Sequence, residues 1–187
     1  MTIAETGVIH GRFQILHNDH RTYLLAGKAR CQHLIVGIAN PDPSLTRAEE
    51  TDSKRAGAAA NPLTFYERLL LVRETLLAAG VAADAFTIVP FPINFPELLG
   101  YYVPLDATFF LTIYDDWGQK KLERFQELGL ATEILWQRPL AEKGLTSTTI
   151  RQRILEDQPW QHLVPKPVAA MLTTLDIKKR LQERTGR

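Results

Sequence analysis

Gly7-Val8-Ile9-His10-Gly11-Arg12-Phe13-Gln14-Ile15-Leu16-His17-Asn18-Asp19-His20 is the stretch whose reading decides the fold. Gly7 to His10 reads as a short buried strand, Gly11 opens a turn, and residues 19–28 read as a helix with Leu24 and Leu25 on its apolar side. His17 and His20 share one side of the first helical turn. Imidazoles donate hydrogen bonds and can be cationic near neutral pH. A helix N-terminus adds unpaired N–H groups and partial positive charge. Together they form an anion site suited to a phosphate whose charge grows during displacement. The same pair could serve as two metal ligands or lie idle on the surface. Neither alternative explains why Gly11 and Arg12 stand between strand and helix.

Working outward, residues 33–38 (HLIVGI) are a second strand, and such apolar continuity suits a parallel sheet covered on both faces. Residues 40–61 hold prolines, a glycine and many charges without hydrophobic periodicity, which predicts a long loop, either functional or a tolerated insertion. Thr64 with Glu67 forms a capping box for a helix that Gly80 stops. Strands follow at 86–90, 108–113 and 132–136, a short helix at 96–101, and longer helices at 117–128, 147–156 and 167–183. The alternation predicts an α/β chain: a doubly wound parallel sheet of about five strands with a C-terminal helical segment from about 147 to 187, all in one domain. Ligands in such sheets bind beyond the carboxyl ends of the strands, at the point where strand order reverses.

Composition narrows the classes. Hydrophobic residues make up 45% of the 187 residues and charged residues 23%, ordinary for a globular protein. A net charge of +1 with no basic–aromatic stripe argues against nucleic acid as a partner, and no apolar run is long enough to span a membrane. Cys31 is the single cysteine, and residues 1–5 show no secretory signal, so a cytoplasmic protein is expected.

A second segment bears on the first. Thr146-Ser147-Thr148-Thr149-Ile150-Arg151 opens a late helix. Its hydroxyls can cap that helix and donate to phosphate oxygens, and Arg151 can pair bidentately with phosphate. Alone, the segment reads more readily as a plain cap followed by a solvated arginine.

In combination these segments resemble a known family. Gly11-Arg12-Phe13-Gln14 with His17-x-x-His20 is similar to the GRFQPxHxGH signature of the nicotinamide-nucleotide adenylyltransferases, in their archaeal-type branch. Ser147 to Arg151 resembles the SSTxIR element, Asn61-Pro62-Leu63-Thr64 with Glu67-Arg68 resembles NPFTxxER, and Trp160 with Leu163-Val164-Pro165-Lys166 resembles the W..LVPK tail. The resemblance implies a Rossmann-like nucleotidyltransferase fold and in-line attack of an acceptor phosphate on the α-phosphorus of a nucleoside triphosphate, releasing pyrophosphate. It implies His17, His20 and Arg151 as the catalytic set, with His20 stabilising the α-phosphate in the transition state. Gly11, Arg12, Phe13, Gln14, Asp19, Ser147, Thr148 and Thr149 would bind the nucleotide and its phosphates, and Mg²⁺ would bridge phosphate oxygens. A homo-oligomer is also implied.

Departures from the pattern bear on the substrates. Asp19 replaces the glycine that lets a nucleobase lie close to the backbone; it can cap the helix, accept from a base amino group or approach the metal. Ile15-Leu16 stands where the family has proline before the first histidine. On the acceptor side, Asn94, Phe95, Asp116 and Trp117 are the candidates: the aromatic rings can stack on a flat ring, and Asp115-Asp116 can face a cationic nicotinamide, hold a metal or cap a helix. The leading expectation is adenylyl transfer from ATP to nicotinamide mononucleotide. The alternatives are a related transferase with another base or acceptor, such as a cytidylyltransferase, and a nucleotide-binding regulator without catalysis.

Overall fold

The computed structural model describes residues 3–46 and 57–186. Five strands, β1 (Ala4–Gly11), β2 (Cys31–Ala39), β3 (Phe86–Phe91), β4 (Thr108–Ile113) and β5 (Ala131–Gln137), form one parallel sheet in the order β3-β2-β1-β4-β5. Helices α1 (Asn18–Lys28), α2 (Phe65–Ala78), α3 (Asp116–Glu127), α4 (Ser147–Leu155), α5 (Lys166–Thr174) and α6 (Ile177–Thr185) flank it, with a 3-10 segment at Pro96–Tyr101. The chain builds outward from β1 through β2 to β3, then returns to the other side of β1 for β4 and β5. The reversal falls between β1 and β4, which opens a crevice at their carboxyl ends.

Both faces of the sheet are buried along β1, β2 and β4, as the apolar runs predict. Successive side chains on a strand point to opposite faces. Ile9, Leu34, Val36, Ile38 and Phe110 pack with Leu24 of α1, Leu71, Val72 and Leu76 of α2, and the C-terminal helices. Val8, Ile35, Phe109, Leu111 and Ile113 pack with Leu122 and Phe125 of α3 and Leu99 of the 3-10 segment. No helix among the described residues is long and apolar enough to cross a membrane.

One predicted element divides. Residues 167–183 are two helices, because Asp176 adopts a left-handed conformation (φ 45°) between α5 and α6. Val168 and Leu172 are buried on α5, Ile177 and Leu181 on α6. The five-residue step from 172 to 177 shifts the apolar stripe by about 140° on an uninterrupted helix. The break at Asp176 resets that phase, so that α5 contacts α2 while α6 contacts α4. The expected loop over 40–61 carries short 3-10 turns at Pro43–Leu45 and Ala58–Ala60, and residues 47–56 lie outside the described residues.

The Thr64–Glu67 capping box forms as expected, and its neighbour Arg68 emerges as a structural centre. Arg68 is 1% exposed. Its guanidinium donates to the carbonyls of Thr64 (3.2 Å), Arg12 (3.0 Å), Ala39 (2.8 Å), Asn40 (2.8 Å) and Pro41 (3.2 Å). Burial draws its pKa down to about 10, still well above neutrality. One cation thereby joins α2 to the turns that leave β1 and β2. Arg68→Met would leave these carbonyls without a donor in a dry interior. We expect a loss of about 3–5 kcal/mol in urea unfolding; a loss below about 1 kcal/mol would contradict this role.

Candidate active site

A cleft of about 410 Å³ opens at the carboxyl ends of β1 and β4. The turn after β1 makes one wall. Phe13 takes a left-handed conformation (φ 51°) and folds its ring back over Gly11, where a Cβ would lie 2.9 Å from the ring. A side chain at 11 would therefore force the Phe13 ring to shift. Gln14 is 1% exposed and clasps Leu63, accepting from its N–H and donating to its carbonyl at 2.9 Å each.

His17 is the N-cap of α1 and forms a reciprocal pair with His20. His17 Nδ1 accepts from the His20 N–H, and His20 Nδ1 accepts from the His17 N–H, both at 3.4 Å. The rings stack with centroids 3.8 Å apart, and the Phe13 ring meets His20 edge-on. Because both Nδ1 atoms accept, the proton of each neutral ring sits on Nε2. Burial lowers the His17 pKa to about 4, against an opposing pull from Asp19. Burial, then His17 and Arg12, hold the His20 pKa well below its ordinary value, although the Ile15 carbonyl draws it up. The pair is thus neutral at pH 7. Formal positive charge along the cleft comes from Arg12, Lys121 and Lys143.

The start of α4 makes the opposite wall. Thr146 caps the helix, accepting from Thr149 N–H at 3.1 Å, and their hydroxyls lie 2.9 Å apart. Ser147 Oγ donates to the Ile15 carbonyl at 2.8 Å. The Arg151 guanidinium donates to the Gln14 carbonyl and, at 3.1 Å, to Thr148 Oγ1. Segments separated by more than a hundred residues are therefore bonded directly to each other. Asp19 adds a second clasp: its Oδ2 accepts from Leu145 N–H at 2.7 Å, and a Cβ on Gly144 would run into its carboxylate.

Of the residues expected at the site, Gly11, Arg12, Phe13, His17, Asp19, His20, Asn94, Trp117, Ser147 and Thr148 line the cleft. Gln14 and Arg151 stand behind it, each holding the turn in place. Thr149 is tied to Thr146 at the helix start, Phe95 precedes the 3-10 segment at its N-cap, and Asp116 is exposed in the first turn of α3. Its neighbour Asp115 faces the cleft instead, capping α3 through Gly118 N–H (3.0 Å) and pairing with Lys143 (3.0 Å). Sequence reasoning passed over His10, Lys121, Lys143 and Trp136, which line the cleft together with Tyr114. Trp136 Nε1 donates to Tyr114 Oη at 2.7 Å, and Lys121 sits 4.7 Å over the Trp117 ring. A histidine closing an apolar strand was the signal available for His10.

Comparison with known proteins agrees with this geometry. The chain is 52% identical over 180 residues to a phosphonoformate cytidylyltransferase of Streptomyces viridochromogenes, covering 96% of this chain and 97% of that protein. It is 26% identical over 181 residues to a nicotinamide-nucleotide adenylyltransferase of Thermococcus kodakarensis, covering 96% and 88%. The chain belongs to this nucleotidyltransferase family. A crystal structure of a bifunctional NMN adenylyltransferase/ADP ribose pyrophosphatase from Francisella tularensis shares the fold, with a TM-score of 0.69 at 14% identity. The match covers 98% of this chain and spans only 53% of that one. No family model matches the chain.

The neutral histidine pair has a consequence for this nucleotidyltransferase's stability. His17 has a pKa of about 4 when folded against an ordinary 6.5, so between those values the unfolded chain binds more protons and stability falls as pH is lowered. Going from about pH 7 to about pH 5 should remove about 2 kcal/mol through His17 alone. Partly buried His20 adds a loss of the same sign. In urea unfolding His17→Asn, which keeps a capping oxygen, should show a shallower fall over this range. Identical pH slopes in variant and wild type would contradict a buried neutral pair.

Proposed function

We propose that this enzyme is a cytidylyltransferase, joining the CMP part of CTP to a small phosphonate acid of the phosphonoformate kind and releasing pyrophosphate. The observation that carries this reading is the near-full-length similarity to the Streptomyces phosphonoformate cytidylyltransferase. The Asp19 clasp on Leu145 agrees with it. Where the adenylyl-transferring pattern has glycine, a carboxylate fills the space beside the backbone. A cytosine is smaller than an adenine, and its amino group suits the remaining carboxylate oxygen. The acceptor side agrees too: Asp115 is engaged by Gly118 and Lys143, and Asp116 is turned away, so the acidic pair does not receive a cationic nicotinamide ring.

In the proposed reaction an acceptor phosphonate oxygen attacks the α-phosphorus in line. One P–O bond forms, the bond to the α–β bridging oxygen breaks, and pyrophosphate leaves with that electron pair. His17 and His20 donate from Nε2 to the α-phosphoryl oxygens as charge gathers there, His20 exchanging the Ile15 carbonyl for a substrate oxygen. Such a donor is worth about 10²–10³ in rate. Arg12 and the N–H groups and hydroxyls at the start of α4 hold the β- and γ-phosphates. Arg151 and Gln14 act from behind, fixing the turn that carries the histidines. Mg²⁺ would arrive with the triphosphate and rest mainly on its oxygens. The carboxylates facing the cleft, Asp19 and Asp115, already accept from Leu145 and from Gly118 and Lys143.

Pyrophosphate release measured for CTP and ATP, each with phosphonoformate and with nicotinamide mononucleotide, tests the substrates. CTP with phosphonoformate should exceed the other pairs by at least about 100-fold in kcat/KM. In Asp19→Gly the preference for CTP over ATP should fall by at least about tenfold. Highest turnover with ATP and nicotinamide mononucleotide would overturn the reading, and an unchanged base preference would reduce Asp19 to a clasp.

A further inference from the structure

His10, the penultimate residue of β1, lies at the floor of the cleft, and no step of the proposed transfer uses it. It is 6% exposed, and among the described residues neither ring nitrogen has a hydrogen-bond partner. Buried polar groups are nearly always paired, and an unpaired one lowers stability. A leucine would pack at this position without that loss. The ring is held by stacking on Phe91 at 4.7 Å and by Phe125 at 5.5 Å. It nevertheless lines the same cleft as the histidine pair. Lys121 of α3 lines that cleft as well, beside Trp117, and lies close enough for its charge to act on the His10 ring together with burial. The floor thus holds an unused N–H donor and an ammonium group.

We propose that His10 and Lys121 form the subsite for a second anionic group on the acceptor, the carboxylate of a short phosphonocarboxylate, with His10 donating its ring N–H to one carboxylate oxygen. This inference rests on the acceptor reading under the proposed function. A carboxylate supplies the acceptor that the His10 N–H lacks, and its charge is opposite in sign to that of Lys121 in the same cleft. With the carboxylate held on the floor, the phosphonate end of a short molecule is directed toward the histidine pair. A cationic ring would gain neither contact. The site therefore selects for an acid at that end of the acceptor.

Steady-state kinetics with CTP tests this. His10→Phe keeps the ring stack and removes the nitrogens. It should raise the KM for phosphonoformate by at least about 20-fold while leaving the KM for CTP within about twofold. Wild type should prefer phosphonoformate to methylphosphonate, which lacks the carboxylate, and His10→Phe should lose that preference. His10→Gln, which restores a donor, should recover the acceptor KM to within about fivefold of wild type. An unchanged acceptor KM in His10→Phe, or equal rises in KM for both substrates, would overturn the subsite. Should wild type fail to turn over phosphonoformate at all, the substrate reading falls, and nitrogen NMR of the His10 ring during titration with malonate decides the subsite separately. A shifted ring resonance supports anion binding at His10; an unmoved one overturns it.

Discussion

The guanidinium of Arg68 sits where three backbone segments converge on the back of the cleft. It holds the carbonyl of Arg12 in the turn after β1 and those of Ala39, Asn40 and Pro41 after β2, while its own helix starts at the Thr64–Glu67 box. Carbonyls left facing inward at the end of a buried strand need donors. Five N–H groups on one planar cation suit that task as no neutral side chain does. Because the Arg12 peptide is fixed there, its side chain can face the cleft from the other side. The positions of Phe13, Gln14 and the histidine pair follow from that anchored turn.

On this frame the same atoms build structure and prepare chemistry. The histidine Nδ1 atoms complete the first turn of α1, which fixes the ring orientation and leaves Nε2 as the protonated nitrogen. Burial keeps the rings uncharged. They offer oriented hydrogen bonds to a growing negative charge without two imidazolium rings repelling each other 3.8 Å apart. Ser147 and Arg151 bond to the carbonyls of Ile15 and Gln14, so the second wall is attached to the first before any substrate enters. In the proposed transfer, catalysis is then a matter of placement and charge, with no nucleophile required from the protein.

Much of this was legible in the sequence. Strand–helix alternation, apolar runs without polar breaks and the Thr64–Glu67 box pointed to the sheet and most element limits. The spacing of His17 and His20 after Gly11-Arg12 located the cleft. What escaped depended on three-dimensional partners. A guanidinium aimed at phosphate and one aimed at a peptide carbonyl look alike in sequence, so the bonds from Arg151 to Gln14 and from Gln14 to Leu63 could not be read there. Asp115 and Asp116 are adjacent, and only the helix start shows that the former faces inward. The break at Asp176 lay hidden in a change of stripe phase within an otherwise helical run. His10 read as part of a buried strand, and its unpaired nitrogens become visible only once Phe91, Phe125 and Lys121 surround it.

The proposed transfer is a single displacement at phosphorus, between the histidine pair and the start of α4. The most direct measurement of it is the stereochemical course at the α-phosphorus, followed with CTP carrying a chiral sulfur at that atom. One in-line displacement by the acceptor gives a product with inverted configuration. Retention would mean two displacements through a covalent enzyme intermediate and would contradict direct transfer from triphosphate to acceptor.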